Sequence, residues 1–218
     1  MRAAFLLVAT RARCRMPEPL RKLTAIAAPL PEDNVDTDII IPSREMRSTG
    51  KTGLAGGLFA NRRYLDAAAR TPDPAFVLNQ PAYADAQILL TGANFGCGSS
   101  REHAVWALAE YGFRAVIAPS FNPVFFGNCV RNGLAPVILS LETIAGLQSP
   151  VTIDLEAMTA NGHPFRLPEE ARQMLLHGLD PIALTLRDAA AIARWQAADR
   201  VARPWAWLPE DGVSRQMF

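Results

Sequence analysis

At 218 residues, half of them hydrophobic and a fifth charged, the chain has the composition of a folded domain of generous size, which excludes extended disorder and leaves little room for a second full domain. Its 22 basic and 21 acidic residues give a net charge of +1, so no global field draws it to nucleic acid or an anionic membrane, and any anion site must be local. Three widely spaced cysteines, Cys14, Cys97 and Cys129, fit neither a disulfide framework nor a CxxC metal knuckle; they suit a reducing cytoplasm and are too few to ligate an iron-sulfur cluster alone.

Residues 1–15 join basic ends to the apolar run Phe5 to Ala9, which is too short to span a bilayer and precedes no small-residue cleavage site. They are expected to be an extension outside the fold, organelle targeting being the alternative. Met16 opens a domain expected over 16–202, with a tail over 203–218. No other segment reads as a membrane span. After the apolar run Leu23 to Ala28, the turn chemistry of PLPEDNVDTDIIIP leads into a β-branched triplet, Ile39 to Ile41, which predicts a strand with Asp36 and Asp38 at its start. Ser43 to Gly57 mixes Ser, Thr, Lys, Arg and four glycines without a period, which predicts a mobile, functional loop.

From Gln87 the pattern sharpens into one βαβ unit: QILLT as a buried strand, GANFGCG as a glycine-rich turn, SSREHAVWALAEY as a helix closed by Gly112, and RAVIA as a second strand. Ser99 and Glu102 have the S-x-x-E spacing of a capping box. A helix is predicted around Asn122 to Asn132, ending at Gly133, with a strand near Pro136 to Leu139. VTIDL and PFRL flank an Asn161-Gly162 hairpin turn, and helices follow near Glu169 to His177 and from Asp188, as cap, to about Val201. The alternation of strand and helix indicates an α/β domain with C-terminal helices packed against it.

The string GANFGCGSSREH gathers free amides, a helix dipole, two hydroxyls and a guanidinium within one helical turn, which makes an anion trap. Phosphate loops fit badly: no GxxxxGK[ST] is present, and a GxGxxG counted from Gly96 needs glycine where Arg101 stands. A carboxylate fits better, because arginine clamps it through two parallel hydrogen bonds. Amides and Arg101 aimed at a serine oxygen would stabilise an alkoxide able to take a proton from carbon beside a carboxylate. From the residues alone, Ser99 as helix cap and Ser99 as part of an anion site stand level. A thiol nucleophile at Cys97 with His103 beside it lacks a third orienting group, and His103 is read as satisfying polar groups near the helix start. Asp36 and Asp38 read as turn residues, and Trp106 with Phe125 and Phe126 as core or subunit-contact surface.

The string GANFGCGSSREHAVWALAEYGFRAVIAPSF resembles the active-site segment of the aconitase superfamily's swivelling domain, and DNVDTDIIIP resembles that domain's opening motif. With LFANRRYLD, FVLNQPAY and GLDPIALTLRD, the resemblance runs from about Leu23 to Val201, in the order of isopropylmalate dehydratase small subunits. It implies an α/β fold of the aconitase-type swivelling β/β/α kind with C-terminal helices. It implies a cytoplasmic hydro-lyase of leucine biosynthesis that interconverts 2- and 3-isopropylmalate by dehydration and rehydration, beside a large partner subunit carrying a four-iron, four-sulfur cluster, with no cofactor or metal held by this chain. Related heterodimers act instead on methylmalate or citraconate, dimethylmalate or homoaconitate. Carried over residue by residue, Ser99 is the catalytic base, Arg101 binds a carboxylate of a small dicarboxylate substrate and Ser100 adds a hydroxyl or amide contact. Lys51, in the loop that selects the substrate's side group, supplies a basic contact where relatives often carry arginine, and a solvated loop lysine is the alternative. Arg47 is a weaker candidate for that role.

Overall fold

The computed structural model describes residues 17–46 and 50–207; the expected extension over 1–15 with Cys14, the candidate Arg47, and residues 208–218 of the expected tail lie outside the described residues. Packing divides the chain after Asp180 into two compact units.

In the first unit, β1 (Lys22–Ala25) and β2 (Ala27–Leu30) follow one another closely and enter different sheets. The expected strand at Ile39 to Ile41 is instead part of a single helical turn, α1 (Thr37–Ile40), capped by Asp36, whose carboxylate accepts from the Ile39 N–H at 2.7 Å. Burial overrides β-propensity here, since Ile40 and Ile41 are wholly enclosed. A second short turn, α2 (Ala60–Arg63), precedes the small hairpin β3 (Tyr64–Asp66) and β4 (Thr71–Pro72). The βαβ unit forms as read, with β5 (Ile88–Thr91), α3 (Glu102–Tyr111) ending at Gly112, and β6 (Ala115–Ala118). Then come α4 (Pro123–Arg131), β7 (Ala135–Ile138), α5 (Leu141–Gly146) and β8 (Val151–Asp154). Asn161 and Gly162, both at positive φ, turn the hairpin as expected, but it joins the two-residue strands β9 (Thr159–Ala160) and β10 (His163–Pro164), while β8 pairs back onto β9. Helix α6 (Glu169–His177) matches its predicted span.

Strands β2, β5, β6 and β7 form a parallel sheet in that order, and β1, β8, β9 and β10 an antiparallel one. The parallel strands are buried on both faces, and alternate residues feed two cores. Ala28, Leu89 and Val116 join Val105, Leu108 and Phe125 of the helices, whereas Ala27, Ile88, Ala115 and Ile117 join Val151 and Ile153 of the antiparallel sheet and Leu175 of α6. The result is helix, parallel sheet and antiparallel sheet in layers, the β/β/α order implied by the sequence.

The second unit holds α7 (Pro181–Leu186) and α8 (Ala189–Ala202). Asp188 stands at the start of α8 as expected, yet its side chain makes no capping bond. Asp199 closes the unit's far end, pairing with Arg203 at 2.7 Å and accepting from Trp207 Nε1 at 3.0 Å. Among the described residues no helix is long and apolar enough to cross a membrane.

Candidate active site

The loop after β5 leaves the carboxyl end of a parallel strand, where α/β sheets place their ligand sites. Two neighbouring segments hold it as if the sheet continued. On one side Asn34 N–H donates to Ala93 O at 2.8 Å, Gly96 N–H to Val35 O at 2.8 Å and Thr37 N–H to Cys97 O at 2.9 Å; on the other, Phe95 N–H donates to Ser120 O and Asn122 N–H to Phe95 O. Phe95 is fully buried and meets the Phe125 ring edge-on at 5.4 Å, which fixes the loop's middle in the core. Gly96 sits at φ +75° with the Phe125 ring where a Cβ would stand, so this position admits only glycine.

The chain then emerges. Gly98, Ser99 and Ser100 are exposed and Arg101 is half-buried at the N-terminus of α3. Thr37 Oγ1 donates to Ser99 O at 3.0 Å, and Arg101 N–H to the same carbonyl at 2.7 Å, which holds the Ser99 backbone from both sides.

The expected capping box is absent. Arg101, not Ser99, occupies the cap position and offers no side-chain bond, while the Glu102 carboxylate accepts from Asn132 Nδ2 at 2.6 Å instead of reaching back. Ser99 is thus relieved of the structural duty that competed with a chemical one, and the cap residue's side chain takes none of the free amides at the helix start.

Arg101 is anchored by Asp38, whose Oδ1 accepts from Nη1. The guanidinium bond foremost, with its charge and a bond from Ser43 added against a desolvation penalty, holds the Asp38 carboxyl below its ordinary value. Among the described residues the Nε and Nη2 edge of Arg101 makes no bond, and that edge is a fork of the geometry that grips a carboxylate.

Lys51 lies farther along α3. Its Nζ donates to Asn132 Oδ1 at 3.1 Å and stands 5.3 Å from the centre of the Trp106 ring, while Asn132 also takes the Trp106 indole N–H at 3.0 Å and reaches Glu102. None of these contacts is to Ser99, Ser100 or Arg101, but the Asn132 amide links the lysine to the first residue of the helix.

A family model of the aconitase C-terminal domain matches residues 17–142, more than half of the chain. The 3-isopropylmalate dehydratase small subunit of Cupriavidus necator is 54% identical over 202 residues, covering 86% of this chain and 97% of that one. The chain belongs to the 3-isopropylmalate dehydratase small subunits. The subunit of Agrobacterium fabrum is 46% identical over 87% of this chain and the whole of its own. The crystal structure of the 3-isopropylmalate dehydratase (leuD) of Methanocaldococcus jannaschii matches this small subunit with a TM-score of 0.59 at 27% identity, over 80% of this chain and 99% of that one.

In this small subunit, no group of three or more His, Cys, Asp or Glu gathers in a metal-holding arrangement among the described residues. Cys129 is sealed in the core, where burial pushes its thiol well up, and Cys97 is half-buried and belongs to no such group among the described residues. These residues do not fit an iron-sulfur cluster held by this chain. The His103 ring lies against Trp106, centroids 4.7 Å apart and the planes tilted by 54°, and no hydrogen bond joins it to Cys97 among the described residues, so a thiol and imidazole couple is not assembled. Sequence reasoning missed the roles of Asp38 and Asn132. Asp38 lies 63 positions from its arginine, and Asn132 carries only the signal of a residue ending a helix before glycine.

Proposed function

We propose that this chain is the small subunit of a hydro-lyase that interconverts 2-isopropylmalate and 3-isopropylmalate in leucine biosynthesis, in the cytoplasm, and that it works only beside a larger subunit. The observation that carries the reading is an exposed serine two positions ahead of Arg101, at a helix start where the cap residue's side chain makes no capping bond among the described residues.

Ser99 acts as the base. As alkoxide, stabilised by the helix start and the nearby guanidinium, it takes a proton from the methylene carbon beside one substrate carboxylate while hydroxide departs from the neighbouring carbon and a double bond forms. Rehydration runs the same events on the exchanged carbons: Ser99 returns its proton to the carbon bearing the isopropyl group, and hydroxide adds to the former methylene. Hydrogen and hydroxyl have then changed places with no net redox change. Arg101 holds a carboxylate on its Nε and Nη2 edge, with Asp38 on Nη1 keeping the group in place, and Ser100 adds a hydroxyl or amide contact. Lys51 supplies a further basic contact from the loop over α3.

The reading includes a four-iron, four-sulfur cluster held by the large subunit, which would supply a Lewis acid for the departing hydroxyl. The openness of the site supports a partner by a separate route. An alkoxide facing bulk water loses most of its electrostatic support, and a covering surface restores it.

The test is to reconstitute this chain with the large subunit and measure kcat/KM on isopropylmalate, methylmalate and homocitrate. A difference of a methylene or two is worth roughly 1–3 kcal/mol, so isopropylmalate should lead by about 10-fold or more. Equal values on all three would overturn the assignment to leucine biosynthesis.

A further inference from the structure

Glu110 has no place in the chemistry above, yet its carboxylate holds three consecutive backbone N–H groups of the loop that carries Lys51. Gly53 and Leu54 donate at 2.6 and 2.5 Å to its two oxygens, and Ala55 at 2.9 Å. The three amides converge because Gly53 adopts φ +83° while Leu54 is right-handed at φ −99° and ψ −23°, a left-then-right pair that folds successive amides into an anion-binding nest. Such a concavity most often takes a ligand anion; here a side chain of the protein fills it.

The placement is ordered along the helix. Glu102, Trp106 and Glu110 are spaced by four and share one face of α3. Asn132 meets Glu102 and brings in Lys51, the ammonium of Lys51 sits over Trp106, and the nest closes on Glu110. One helical face therefore fixes the loop at two points about one turn apart, roughly 6 Å, with Lys51 at the point nearer to Ser99 and Arg101.

We propose that Glu110 is a positioning residue for substrate binding: by filling the backbone nest at Gly53 to Ala55 it sets the register of the loop on α3 and so places Lys51 beside the substrate site. The claim rests on the reading of Lys51 as a substrate contact. A loop held only by the Lys51 side chain would slide along the helix, and its ammonium would be spread over several positions. A backbone grip on Gly53 to Ala55, where Leu54 enters the core, removes that freedom.

The test uses Glu110→Gln, which keeps the shape but replaces one acceptor oxygen with an amide that has donors of its own. Two readouts are taken: hydrogen exchange of the Gly53 to Ala55 amides in the full chain, and kinetics of the complex with the large subunit. Co-purification with that subunit serves as the check on folding. Exchange at those amides should rise at least about 10-fold, and KM for isopropylmalate about 5- to 10-fold with kcat changed less than about 2-fold. Added to Lys51→Ala, the same change should raise KM no further. Glu110→Gln with native exchange would overturn the anchor, and a full extra KM effect in the Lys51→Ala background would overturn its action through Lys51. Lys51→Ala with a native KM would instead overturn the lysine reading on which the claim depends, and the exchange result distinguishes that failure from failure of the anchor.

Discussion

Arg101 holds Asp38 on one edge of its guanidinium, and the proposed substrate carboxylate would take another edge of the same group. The Asp38 contact does not switch across the neutral range. Its carboxyl is held below the ordinary value of 3.8, so whatever the pair contributes is complete above that value and disappears only as pH falls through the lowered one. The exposed pair is a brace rather than a source of stability. Lysine at position 101 would keep a positive charge for Asp38 and lose the fork. Arg101→Lys in the reconstituted complex should lower kcat/KM by about 10- to 100-fold, roughly 1.5–3 kcal/mol of charge-assisted hydrogen bonding, with stability near native. A change below 2-fold in a steady-state assay would remove Arg101 from substrate binding.

Among the elements, the turn between β5 and α3 bears most of the burden of placing Ser99, and it depends on Gly96. A methyl group there runs into the Phe125 ring and forces a left-handed backbone on a residue with a Cβ. Gly96→Ala should cost about 2–4 kcal/mol, measured by denaturant unfolding, as overpacking and backbone strain add. This turn was legible in the sequence because strand, glycines and helix are local patterns within some thirty residues. The helical turn at Thr37–Ile40 was not, since three β-branched residues suggest a strand and only the core around Ile40 and Ile41 decides otherwise. The capping box failed for a related reason: S-x-x-E specifies a spacing, but Glu102 is claimed by Asn132, 30 positions away. Lys51 stands out in the sequence through its loop, whereas the residues that contact it, Asn132 and Trp106, and Glu110, which holds the loop backbone, carry no local sign of those contacts.

For the whole molecule, the layered fold follows from alternation in the parallel strands, where neighbours such as Ile88 and Leu89 enter opposite cores. That arrangement leaves Gly98, Ser99 and Ser100 exposed at the tip of α3, and the proposed large subunit is what would complete the site. The purified chain alone should therefore show no turnover of isopropylmalate, and Cys97→Ala in the complex should retain native kcat. Activity of the isolated chain that vanishes with that substitution would return the thiol to consideration. Everything turns on Ser99 exchanging a proton with substrate carbon. The most direct measurement is kcat of the reconstituted complex with Ser99→Ala, together with loss of tritium from the methylene carbon of labelled isopropylmalate, whether it passes to the carbon bearing the isopropyl group or to water. Both should fall about 10²–10⁴-fold while the complex still forms and binds substrate; native turnover with native loss of tritium from the methylene carbon would remove Ser99 from the chemistry.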